Sequence, residues 1–151
     1  MAEEQTKQTL LVVCTGNTCR SPMAAAVLND YLEKEGLSET FCAASAGVAA
    51  YDGQPASENA VKAAAEQGLD LSGHKARRIT LEDVADAAHI FVMSEPHKAL
   101  LSGAVPGAEE KITVMQVEDP FGGDLDVYRS CFKQMAAFFE RYFKEHPLCA
   151  E

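Results

Sequence analysis

Positive charge is scarce in this 151-residue chain: 13 Lys and Arg stand against 23 Asp and Glu, a net charge of −10. A phosphate backbone needs a concentrated excess of basic side chains, so this charge argues against nucleic acid as a partner. An anionic membrane surface would repel the chain for the same reason, and no membrane partner is expected. A phosphorylated substrate would have to be drawn in by local groups against the global field. Long apolar runs are missing too. The opening MAEEQTKQTLLVV lacks both the basic flank and the length of a signal peptide or a spanning helix, so a cytoplasmic protein is expected. The five cysteines, odd in number and scattered, do not make a disulfide framework, and reduced thiols are expected. No repeat, low-complexity tract or Pro/Gly/Ser-rich linker divides the chain. One domain over residues 1–151 is expected, frayed at 1–8 and 147–151 and large enough to need no staples.

What is present is an alternation. Short apolar runs at Leu10–Val13, Phe41–Ser45, Ile90–Met93 and Ile112–Met115 lack strict polar alternation, which predicts strands buried on both faces of a parallel sheet. Helical patterns lie between and after them. PMAAAVLNDYLEKEG opens on Pro22 and stops at Gly36, and ASENAVKAAAEQG stops at Gly68. LEDVADA (81–87) and EPHKALLSG (95–103) are shorter. The last helix, Asp124 to Glu145, carries Val127, Cys131, Phe132, Met135, Phe138, Phe139 and Tyr142 at helical spacing. This order predicts an α/β fold with a doubly wound sheet and helices on both faces. Its site belongs beyond the carboxyl ends of the strands, where Cys14, Ser45, Ser94 and the loop around Asp119 fall.

The stretch CTGNTCRSP, residues 14–22, occupies the first strand-to-helix turn. Ser21 is the expected N-cap and Pro22 the first helical residue. Amide N–H groups of a tight polar loop, with the helix N-terminus, make an anion site, and Gly16 permits the turn. Arg20 adds a planar, bidentate grip on two phosphate oxygens. The same positive field favours the thiolate of Cys14, which is then poised for in-line attack on a cradled phosphoryl group through a cysteinyl-phosphate intermediate. A nucleotide-binding loop is unsupported because no G-x-x-x-x-G-K-[ST] occurs. Half a zinc site at Cys14 and Cys19 finds no second Cys/His pair, so no metal and no cofactor are expected.

VCTGNTCRSPMA resembles the signature of the low-molecular-weight protein tyrosine phosphatase family. SAG (45–47), HKARRIT (74–80), VMSEPHK (92–98) and EDPFGG (118–123) follow in that family's order. The resemblance implies a single-domain, four-stranded parallel sheet in the order 2-1-3-4. It implies Cys14 as nucleophile, Arg20 as phosphate clamp, and a phosphate loop of Thr15, Gly16, Asn17, Thr18, Cys19, Arg20 and Ser21. Asn17, Ser21, Ser45 and His74 would hold that loop in shape. A departing group leaves more easily when protonated. Asp119 stands before Pro120, as turn residues often do, and the resemblance makes it the general acid, with phosphorylated proteins as substrates.

Tyrosine-directed members carry a bulky aliphatic residue where this chain has Thr18. A threonine there, with DPFGG, resembles the bacterial protein arginine phosphatase branch, and phosphoarginine is the favoured substrate over phosphotyrosine. Phe121 and Tyr51 are candidate walls of the cleft, with simple packing as the rival reading. Cys19 is either a core filler or a partner that traps oxidised Cys14 in a disulfide. Cys42 and Cys131 read as core, and Cys149 as part of a frayed tail. His97 and Lys98 read as a solvated helix face, and His89 and His146 show no ligand pattern. Arsenate reduction would need resolving cysteines, which the segment 75–95 lacks. A phosphate-binding module without turnover would have no use for a nucleophile and an acid. Oligomeric state is left open.

Overall fold

Residues 10–13, Leu-Leu-Val-Val, offer apolar side chains to both sides of an extended backbone, so they are stable only with packing on both sides. In the computed structural model, which describes residues 7–148, they form the centre of β1 (Gln8–Cys14). β2 (Phe41–Gly47) and β3 (His89–Val92) flank it, and β4 (Ile112–Val114) lies beyond β3. All pairings are parallel, in the order β2-β1-β3-β4. Side chains alternate between two cores. Leu10, Val12, Cys14, Phe91 and Met93 enter one; Leu11, Val13, Ile90 and Val92 enter the other.

The first core is closed by α1 (Arg20–Lys34), α2 (Glu58–Glu66) and α5 (Leu125–Glu145). The second is closed by α3 (Leu81–Asp86) and α4 (Glu95–Ala104) through Val84 and Leu101. Local chemistry sets the helix starts. Ser57 caps α2, Thr80 and Asp83 form a capping box on α3, and the Asp124 carboxylate caps α5 by accepting from the Val127 N–H. Among the described residues no helix is long and apolar enough to cross a membrane.

Several boundaries differ from the sequence reading. Gln8, expected to fray, heads β1 and donates its N–H to the Thr40 carbonyl at 2.8 Å. A 3-10 turn, Ala108–Lys111, precedes β4 and carried no recognisable period. Ser21 is not an N-cap and Pro22 is not first: α1 starts at Arg20 after Cys19, because the Ser21 hydroxyl is held by Cys14 and Asn17 instead. Pro22 still falls in the first turn, where its missing N–H is harmless. On α5, Val127 is exposed, whereas Tyr128 and Phe143 are buried, so the inward stripe starts one residue later than expected. Cys131 lies in the core, but Cys42 is only half-buried on the edge strand. Cys149 lies outside the described residues.

Gly47, where β2 ends, is required by proximity. A β-carbon there would lie 2.5 Å from the Thr15 carbonyl oxygen and 2.9 Å from the Asn17 nitrogen. Gly47→Ala is expected to destabilise the protein by about 1–3 kcal/mol, read from the denaturant midpoint, while displacing the loop after β1.

His89 supplies a second test. Burial, then the charges of His146 and Lys111, hold its imidazole below the ordinary histidine value. The native state therefore refuses a proton that the unfolded chain takes up near pH ~6.5. Stability is full above that pH and falls as the pH drops below it. His89→Gln should flatten this loss in denaturant titrations between pH 8 and 5.

Candidate active site

The period of two places Cys14 on the same face as Leu10 and Val12, the face that α1 covers. Its sulfur thus lands at the first turn of α1. Ser21 Oγ lies 2.9 Å from Cys14 Sγ, and the Asn17 N–H donates to the same sulfur at 3.2 Å. The helix start has no acidic residue in its first turn, no side-chain cap at Cys19, and a buried arginine at its first position. Orphan N–H groups and a guanidinium together leave a positive end that calls for an anion.

Asn17 holds the loop. It is fully buried with φ +58°, a left-handed conformation that asparagine tolerates better than most residues. Its side-chain amide donates to Ser21 Oγ at 2.8 Å and Ser45 Oγ at 2.9 Å, and its Oδ1 accepts from the Arg77 N–H at 2.9 Å. Its carbonyl accepts from His74 Nε2 at 2.7 Å, so His74 carries its proton there and braces the loop.

Arg20 donates through Nη1 to the Val117 carbonyl at 2.8 Å, which ties the guanidinium to the segment leading into Asp119. Asp119 Oδ2 lies 3.9 Å from Arg20 Nη2, while Oδ1 accepts from the Phe121 N–H at 3.0 Å. Asp119 is therefore both a turn residue and a carboxylate beside the arginine. A cavity of about 260 Å³ is lined by Cys14, Thr15, Gly16, Thr18, Cys19, Arg20, Tyr51, Asp119 and Phe121. Tyr51 and Phe121 are 80% and 79% exposed, so they form its rim and do not serve as packing.

The Cys19 thiol meets the residue that caps α2 and the first turn of α5. It donates to Ser57 Oγ at 3.4 Å and lies 3.3 Å from the Tyr128 hydroxyl. A Cys14–Cys19 disulfide would require it to leave both partners. Burial, and the bond to Cys19, push the Tyr128 phenol up to about 12. Burial pushes the Cys131 thiol to about 12 as well, which makes it inert. Among the described residues no cluster of three or more His, Cys, Asp or Glu could hold a metal ion.

His97 is not on a solvated face. It is 7% exposed, with Nε2 2.9 Å from Thr15 Oγ1 and Nδ1 2.7 Å from Ser94 Oγ, and Lys98 beside it is half-buried. His97 stands one helical turn before buried Leu101, and that spacing was the available signal for its inward face. The Val117 carbonyl and the Arg77 N–H left no trace in the sequence, since main-chain groups have no residue signature.

A cysteine sulfur set at an amide-lined, arginine-bearing loop at the carboxyl edge of a parallel sheet is the arrangement of a cysteine-based phosphatase. More narrowly, the chain belongs to the low molecular weight phosphotyrosine protein phosphatase family, whose sequence model it matches over residues 9–146. It is 33% identical over 141 residues to a protein-arginine-phosphatase of Geobacillus stearothermophilus, covering 87% of this chain and 91% of that protein. It is 34% identical over 158 residues to the low molecular weight phosphotyrosine protein phosphatase of Homo sapiens, covering 93% and 99%. The crystal structure of a low molecular weight protein tyrosine phosphatase from T. tengcongensis superposes with a TM-score of 0.85 at 34% identity, covering 92% and 99% of the two chains.

Removing the Asn17 side chain strands two hydroxyls and a backbone N–H. Asn17→Ala should cost about 3 kcal/mol of stability, and Asn17→Gly, which relieves any backbone strain, should recover only a minor part. Full recovery by glycine would show that strain and not side-chain pinning is what matters.

Proposed function

We propose that the chain is a protein arginine phosphatase acting through a cysteinyl-phosphate intermediate. Cys14 Sγ attacks phosphorus in line. The P–N bond to the arginine side chain breaks as Asp119 gives its proton to the departing nitrogen. Water, deprotonated by the Asp119 carboxylate, then attacks phosphorus, forming the O–P bond as the S–P bond breaks, which releases inorganic phosphate and returns the thiolate. Loop amides and Arg20 hold the three equatorial oxygens, where charge is spread in the transition state.

The observation that carries the substrate choice is Thr18 in the cavity wall beside Cys14 and Gly16. A small polar side chain leaves room for a planar guanidinium, and its hydroxyl can orient the attacking water. Asp119, more than half exposed, can pair with that guanidinium as well as protonate it. The similarity to a protein-arginine-phosphatase supports this reading. Phosphotyrosine is the second reading, favoured by the aromatic rim of Tyr51 and Phe121 and by an equally similar relative named for phosphotyrosine.

Thr18→Ile separates the two. Turnover of a phosphoarginine peptide should drop by ~10–100-fold, the range a single pocket contact commands, with aryl phosphate hydrolysis kept or raised. Intact phosphoarginine turnover in this variant would overturn the substrate assignment. Cys14→Ser should bind phosphopeptide without releasing phosphate, and full activity in that variant would overturn the mechanism.

A further inference from the structure

His97 reaches the loop after β1 from the opposite face of the sheet. α4 packs into the second core, while the loop closes over the first. The imidazole bridges two hydroxyls, Ser94 Oγ at 2.7 Å on Nδ1 and Thr15 Oγ1 at 2.9 Å on Nε2. Ser94 is the N-cap residue of α4, a position where a serine hydroxyl normally accepts a helix N–H, yet it makes no capping bond. Its hydroxyl is engaged by the ring instead. Thr15 is exposed, lines the 260 Å³ cavity and is the residue next to Cys14.

Burial, then the Arg20 charge, hold this imidazole below the ordinary histidine value, with Asp119 opposing. The ring is therefore neutral near pH 7, with one N–H and one bare nitrogen. A chain of two hydroxyls and one neutral imidazole has only two orders. In one, Thr15 donates to Nε2 and its proton is lost to the cavity. In the other, Ser94 donates to Nδ1, Nε2–H donates to Thr15 Oγ1, and the Thr15 proton is free to point into the cavity. An anion in the cavity selects the second order.

We propose that His97 is a positioning residue for the phosphate site, turning the Thr15 hydroxyl into a donor to a bound phosphate oxygen through its Nε2–H. Ser94 completes the device by fixing the tautomer. The proposal rests on the loop being a phosphate site, but holds for phosphoarginine and phosphotyrosine alike. It adds a side-chain donor to a cradle otherwise made of amides and Arg20.

The test uses inorganic phosphate as a competitive inhibitor of aryl phosphate hydrolysis. His97→Leu should raise the phosphate inhibition constant by ~10-fold, the effect of one charge-assisted hydrogen bond. Thr15→Val should do the same, and the double variant should add nothing. His97→Gln places an amide N–H near the position of Nε2 and should restore phosphate binding to within ~3-fold. His97→Asn reaches only the Nδ1 position and should not. If His97→Leu fails to fold, the Gln and Asn pair decides the matter. An unchanged inhibition constant in His97→Leu, multiplying effects in the double variant, or equal behaviour of Gln and Asn would overturn the proposal. A wild-type protein that neither hydrolyses the ester nor binds phosphate would defeat the phosphatase reading itself, a different result.

Discussion

A loop that gathers amide N–H groups around one point has no helix or sheet partner to hold it, and the groups repel any closer arrangement until an anion arrives. In this protein the burden falls on Asn17. Its left-handed backbone is one that most residues avoid and asparagine tolerates. It persists because five hydrogen bonds converge on the residue from the sulfur of β1, the first turn of α1, β2 and the 74–77 segment. The partners come from four separate parts of the chain, so the loop's shape is a property of the whole fold.

The parallel sheet turns this into a site with two independent sources of support. Because β1 is central, its carboxyl end is reached by helices from both faces. α1 brings Ser21 and Arg20 from the first core, and α4 brings His97 from the second. The segment leading into Asp119 is coupled to the same centre through one main-chain oxygen, that of Val117, to which Arg20 donates. Gly47 lets β2 approach closely enough for Ser45 to join. Arg20, the loop after β1 and the segment leading into Asp119 thus share one edge of the sheet, while Tyr51, Phe121 and Asp119 stay exposed at the rim of the cavity.

Much of this was legible in the residues. Strand cores came from short two-sided apolar runs, helix C-terminal ends from Gly36 and Gly68, and the Cys14–Arg20 pair from its place in a strand-to-helix turn. The misreadings share a cause. Ser21 looked like a cap because serine before proline usually is one, but a thiol seven positions back claimed its hydroxyl. Val127 fitted the apolar stripe of α5, but its neighbour Tyr128 was drawn inward to meet Cys19. His97 looked like one of several polar residues on a short helix, yet its partner lies 82 residues away.

Sequence alone determined what repeats over a few residues: element type, the two-faced sheet, the acidic charge balance, and the local spacing of Cys14 and Arg20. Tertiary structure alone decided which hydroxyl holds the sulfur, which carbonyl holds the arginine, and which histidine reaches the loop. The reason is physical. Periodicity is written in neighbours along the chain and survives any packing, whereas a hydrogen bond across the sheet depends on register and helix placement that no local pattern encodes.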